Sequence, residues 1–87
     1  MEKINVIVEE KVDARTIVFN PETGKMYEFN DIESIIWDSI EKDSSEIAEK
    51  IQEIYDVDNK QLLDDIENFR VQLINAKLVK DKNTLLL

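Results

Sequence analysis

Cysteine and histidine are both missing from this chain. Without thiols there is no disulfide, no cysteine nucleophile and no thiolate metal site, and a reducing compartment, the cytoplasm, is the expected setting. Without imidazole the usual general base, histidine-based triads and imidazole-rich zinc sites are gone too. Any chemistry would fall to carboxylates, lysine and hydroxyls, so no enzyme is expected. Glycine and proline occur once each, which excludes a phosphate-cradling loop. No apolar run approaches the roughly 20 residues that cross a bilayer. The start, Met1-Glu2-Lys3-Ile4-Asn5, lacks the basic flank and apolar stretch of a signal peptide, so no membrane role is expected. Lysine and arginine are scarce, 11 against 20 acidic residues, giving a net charge of −9 over 87 residues of which 43% are apolar. These numbers fit one small soluble domain with a modest core, expected over residues 1–82 with a tail at 83–87.

The single proline and single glycine lie together in Asn20-Pro21-Glu22-Thr23-Gly24. Proline presets φ early in a turn and glycine supplies positive φ at its exit, so the segment predicts a hairpin. Thr16-Ile17-Val18-Phe19 and Lys25-Met26-Tyr27-Glu28-Phe29 flank it, rich in the β-branched and aromatic residues that suit a pleated surface. Ile4, Val6 and Val8, alternating with Asn5 and Ile7, predict a further strand upstream.

After Phe29 the apolar period lengthens to about 3.6 residues. Asn30 or Asp31 can cap a helix carrying Ile32, Ile35, Ile36 and Ile40 on one face. Ser44 or Ser45 can cap a second, with Ile47, Ala48, Ile51, Ile54 and Tyr55 as its stripe. A third is expected from Asp58, with Gln61 at the capping-box position, to about Ala76. Three strands followed by three helices predict an α+β fold with segregated elements. On the third helix Leu62, Ile66, Phe69, Leu73 and Ala76 make the core stripe, and a second row runs beside it: Leu63, Arg70 and Ile74, then Glu67, Val71 and Leu78. Either that row is an apolar flank offered to a partner, or it packs under the sheet or the Leu85–Leu87 tail.

The run Pro21-x-Thr23-Gly24-x-x-Tyr27-x-Phe29-Asn30-Asp31, then Ile36-Trp37, Ile47-Ala48, Tyr55-Asp56-Val57 and Phe69-x-x-x-Leu73, resembles the PqqD family. The resemblance extends from Ile4 to Val79. It implies a winged helix-turn-helix-like domain and the role of a RiPP recognition element: a peptide chaperone that holds the leader of a ribosomally made precursor while a separate enzyme modifies it. It further implies β-augmentation, in which the leader adds to the edge of the third strand and lies against the third helix. Carried onto this sequence, the peptide-binding residues are Lys25, Met26, Tyr27, Glu28 and Phe29 on the strand, with Leu63, Glu67, Arg70, Val71 and Ile74 on the helix. Arg70 would serve a leader carboxylate and Glu67 a leader lysine. The implied partners are the precursor peptide and a modifying enzyme, often a radical-SAM enzyme or a leader peptidase, within natural product biosynthesis; no cofactor is implied. Family members often carry glycine where this chain has Glu41-Lys42-Asp43 and Asn75-Ala76-Lys77, and Asn75 could adopt the left-handed conformation that glycine would.

Rival readings are weaker. A winged-helix order invites DNA binding, or a small transcriptional regulator or plain interaction module. However, the third helix carries only Lys60 and Arg70 against Asp64, Asp65 and Glu67, so no nucleic-acid partner is expected. Asp56-x-Asp58-x-Lys60 with Glu67 partly matches a calcium loop, but lysine occupies a ligand position and Gln61 stands where glycine is needed, so no metal is expected. Trp37 could contact a partner; capping the core is the simpler reading. The charge of −9 favours basic leaders or a basic patch on the enzyme, with association slowing as salt rises.

Overall fold

The computed structural model describes residues 1–81; the expected domain end at 82 and the tail at 83–87, with Leu85–Leu87, lie outside the described residues. Its elements are β1 (Glu2–Lys3), β2 (Val8–Val12), β3 (Arg15–Asn20), β4 (Lys25–Phe29), α1 (Asp31–Asp38), α2 (Ser44–Gln52), α3 (Asn59–Asn75) and β5 (Val79–Lys80). The fold is α+β: an antiparallel sheet in the order β2-β3-β4, three helices, and a short β1-β5 pairing that ties the two ends together.

The hairpin at Asn20–Gly24 forms as its residues predict. Asn20 Oδ1 accepts from the Glu22 N–H at 2.9 Å, Gly24 N–H donates to the Asn20 carbonyl at 2.8 Å, and Gly24 sits at φ +73°. The upstream strand differs from the sequence expectation. Residues around Ile4 to Ile7 form a turn, closed by Ile7 N–H to the Ile4 carbonyl, and the strand is Val8–Val12. Its core, Glu9-Glu10-Lys11, carries no apolar alternation, and its two-residue turn at Asp13-Ala14 places Asp13 at φ 57° without a glycine. Both cues that mark a strand are therefore absent.

Pairing opposes Thr16 to Phe29, Val18 to Tyr27 and Phe19 to Met26. Because side chains alternate, Thr16, Val18, Asn20, Tyr27 and Phe29 face the helices, while Ile17, Phe19, Met26 and Glu28 face away. Thr16, Val18 and Asn20 are buried. Thr16 Oγ1 donates to Ser34 Oγ at 3.0 Å and accepts from Lys11 Nζ at 2.8 Å, and this buried polar chain fastens α1 to the sheet.

Side-chain caps define the helix starts. Asn30 and Glu33 exchange bonds in a complete capping box at α1. Asp43, rather than Ser44 or Ser45, caps α2 by accepting from the Glu46 N–H at 3.0 Å. Ile54, expected on the α2 stripe, lies beyond the helix end and is 67% exposed. Asp58 caps α3 through the Gln61 N–H, so this acidic run opens a helix instead of forming a ligand loop. The α3 end is a Schellman motif: Leu78 N–H reaches the Leu73 carbonyl and Lys77 N–H the Ile74 carbonyl, each at 3.0 Å. Lys77 takes the left-handed conformation at φ 61°, and Asn75, which could have done so, stays helical.

Between sheet and helices lies a core of Val18, Phe29, Ile36, Trp37, Ile40, Ile47, Ala48, Ile51, Leu62, Ile66, Phe69, Leu73, Leu78 and Val79. Burial of each large member contributes about 1.5–3 kcal/mol before ordering entropy is subtracted. Trp37 is fully buried, and its indole N–H donates to Glu9 Oε2 at 3.2 Å while the Lys3 ammonium lies 4.5 Å from the ring centroid.

Candidate functional site

β4 pairs only with β3, so its far edge presents unpaired backbone groups among the described residues. Lys25 and Glu28 are exposed, Met26 is exposed on the outer face, Tyr27 is half-buried, and Phe29 is buried. Phe29 anchors the strand: its ring lies 5.5 Å from Trp37 and 5.2 Å, edge-on, from Phe69 of α3. α3 is thereby held against the carboxyl end of β4. At the other end the Asn20 amide donates to the Lys77 carbonyl at 2.9 Å, so α3 runs opposite in direction to β4.

Immediately after Phe29 a cleft of about 380 Å³ opens. Asn30, Ile32, Glu33 and Ile36 line one side, and Asp65, Asn68, Phe69 and Gln72 of α3 line the other. Its floor is apolar and its rim carries amides and two acids. Glu33 is already engaged by the Asn30 N–H, and Asp65 by the Gln61 amide at 2.9 Å. Among the described residues no cationic side chain lines it.

The helix row assigned from sequence does not line this cleft. Arg70 donates to the Lys42 carbonyl at 2.5 Å and pairs with Glu67 at 3.7 Å, and Ser44 hydroxyl donates to Glu67. Both side chains bind α3 to the α1–α2 junction. Arg70, with its side chain only 15% exposed, is thus engaged within the domain, whereas the Glu67 side chain is 62% exposed. Arg70 Nε is buried without a partner. Leu63 packs against the core, Ile74 is 39% exposed, and Val71 is 55% exposed. At about 100° per residue, Arg70 and Ile74 lie roughly 140–180° round the helix from Asp65 and Gln72. Thus none of the sequence-assigned residues lines the cleft: Phe29 touches its wall through Phe69, and Val71 lies about 60° round α3 from Asn68. Asp65, Asn68 and Gln72 carry no signal that separates them from an ordinary solvated flank; they are exposed, and only the packing of α3 against α1 brings them to the cleft.

At the α2 start, the Glu46 backbone N–H, followed by the Ser45 hydroxyl, holds the Asp43 carboxyl below its ordinary value. This stabilises the junction that Arg70 also grips.

The model of one family, "Coenzyme PQQ synthesis protein D (PqqD)", matches residues 15–79. This chain belongs to the PqqD family. The family match runs from the start of β3 into β5, so β1 and β2 precede it in this PqqD-family chain. Among solved structures it is similar to that of "TbiB1 in Complex with the TbiA(beta) Leader Peptide", with a TM-score of 0.83 and 26% identity, covering 93% of this chain and 100% of that one. No curated protein matches.

Proposed function

We propose that this chain is a non-catalytic RiPP recognition element. It binds the leader of a ribosomally synthesised precursor peptide and presents it to a separate modifying enzyme in the cytoplasm, such as a radical-SAM enzyme or a leader peptidase. The leader adds as a strand to β4 over Lys25–Phe29 and continues into the cleft bounded by Asn68, Phe69 and Gln72. The observation that carries this reading is the unpaired β4 edge, followed in the chain at Asn30 by the cleft. Similarity to a domain whose structure holds a leader peptide supports it.

The physical logic is main-chain bonding with side-chain selection. Each net hydrogen bond contributes about 1 kcal/mol and each apolar anchor about 1.5–3 kcal/mol, offset by ordering the peptide, so affinity near micromolar, about −8 kcal/mol, is expected. In this reading the Arg70 guanidinium, hydrogen-bonded to the Lys42 carbonyl, serves the α1–α2 junction instead of leader capture.

The test is an amide NMR titration with the precursor peptide encoded beside this chain. Shifts should concentrate on Lys25–Phe29 and on Asp65, Asn68 and Gln72. Shifts confined to Leu63, Arg70, Val71 and Ile74 would move the site to the other flank, and no saturable shift at all would remove leader binding.

A further inference from the structure

The sheet has two faces, and only one belongs to the core. On the outer face Val8, Phe19 and Met26 form a continuous cross-strand row, since Val8 opposes Phe19 and Phe19 opposes Met26. The next row is Glu10, Ile17 and Glu28. Val12 lies beyond it, opposite Arg15, whose guanidinium is held by Glu28 at 3.0 Å. Val8 is 59% exposed, Met26 68% and Val12 47%, so an apolar patch spans all three strands on the side away from the cleft. Solvated apolar patches of this kind mark contact surfaces.

Charge selects the occupant. Two glutamates flank Ile17, and among the described residues the only cation on the face, Arg15, is bound by one of them. A second copy stacked here would oppose −9 to −9, and an anionic bilayer would be repelled for the same reason. The complementary surface is an apolar strip rimmed by lysine and arginine on another protein. The geometry adds a coupling. A strand joined to β4 puts every second side chain on the outer face, beside Met26, so the guest lengthens the Val8–Phe19–Met26 row by one strand.

We infer that the outer face of the β2-β3-β4 sheet docks the modifying enzyme through a lysine- or arginine-rimmed apolar surface, and that a bound leader completes this face. The enzyme therefore binds the loaded domain more tightly than the empty one, and by linkage the enzyme tightens leader binding equally. The inference rests on the leader-binding reading for the identity of the guest and of the partner.

The experiment measures, by calorimetry on the full chain, the binding of the purified precursor peptide and of the purified modifying enzyme encoded alongside it. Wild type is compared with Val8→Lys/Val12→Lys and with Glu10→Lys, all on β2 and distant from the cleft, with thermal melts confirming folding. The expected result is leader affinity unchanged within about twofold, with enzyme affinity falling at least tenfold in the double variant and severalfold in Glu10→Lys. The leader should raise wild-type enzyme affinity at least threefold. Enzyme binding that is indifferent to both variants overturns the inference while leader binding stands. So does a wild-type dimer, seen by sedimentation, that the double variant dissolves. Failure of the leader to bind wild type sinks the underlying reading instead.

Discussion

The two edges of the sheet are built from opposite materials. On β2, Glu9 and Lys11 turn charges toward the helix side: Glu9 holds the Trp37 indole and Lys3, and Lys11 holds Asp38 and the Thr16 hydroxyl. Inward charges of this kind discourage a further strand, because pairing would bury ions that are now partly solvated. On β4 the inward positions beyond Lys25 are Tyr27 and Phe29, and the edge runs into an apolar-floored cleft. One border carries inward charges and the other aromatic side chains, so in the proposed reading the guest strand adds at β4.

The sharpest way to break this contrast is to remove its aromatic joint. Phe29→Ala should cost about 3–5 kcal/mol in urea unfolding, because it leaves a cavity between Trp37 and Phe69. Val8→Ala at the other border should stay within about 0.5 kcal/mol, since that side chain is mostly solvated. Next in size, Gln72→Trp should fill the cleft and weaken leader binding at least tenfold, about 1.4 kcal/mol, with an unchanged melting curve. Arg70→Ala should show the reverse, with binding intact and stability lowered by about 1–2 kcal/mol as the junction loses its charge-assisted bond.

Smaller effects refine the picture. Lys77→Gly should gain about 1 kcal/mol by relieving the left-handed strain at the end of α3. Lys11→Ala should lose at most about 1 kcal/mol, its ion pair being half-exposed, yet speed amide exchange along β2 while leaving β4 unaffected. The smallest effect is with pH. The folded Asp43 carboxyl titrates below its ordinary value of 3.8, so its cap on α2 is fully present above that value. The contribution is lost as pH falls through the lower folded value. The Glu46 amide resonance, followed through an acid titration, should move only in that acidic range.

How far the sequence discloses this architecture depends on where each decision is made. The Asn20–Gly24 turn and the cap at Asn30 are local chemistry, and both are readable from composition and spacing. β2 is hidden because its stabilising partners, Asp38 and Trp37, are 27 and 28 residues away. The β1-β5 pairing, two residues long, is too short to leave a pattern. Of the candidate site, the strand was legible because an aromatic edge beside a strong turn is a local feature. The helix side was not, because the periodicity of α3 gives two flanks beside one core stripe and only tertiary packing chooses between them. Lys77 shows the same limit in small: the left-handed residue is set by where the helix ends, and neither its identity nor that of Asn75 announces it.

Phe69 serves twice, as a member of the core and as a wall of the cleft. Retargeting this domain to a different precursor by protein engineering therefore has an asymmetric set of handles. Asn68 and Gln72 can be varied freely, since neither is buried. Changes at Phe69 would trade selectivity against solubility and yield, and a screened library should hold it constant.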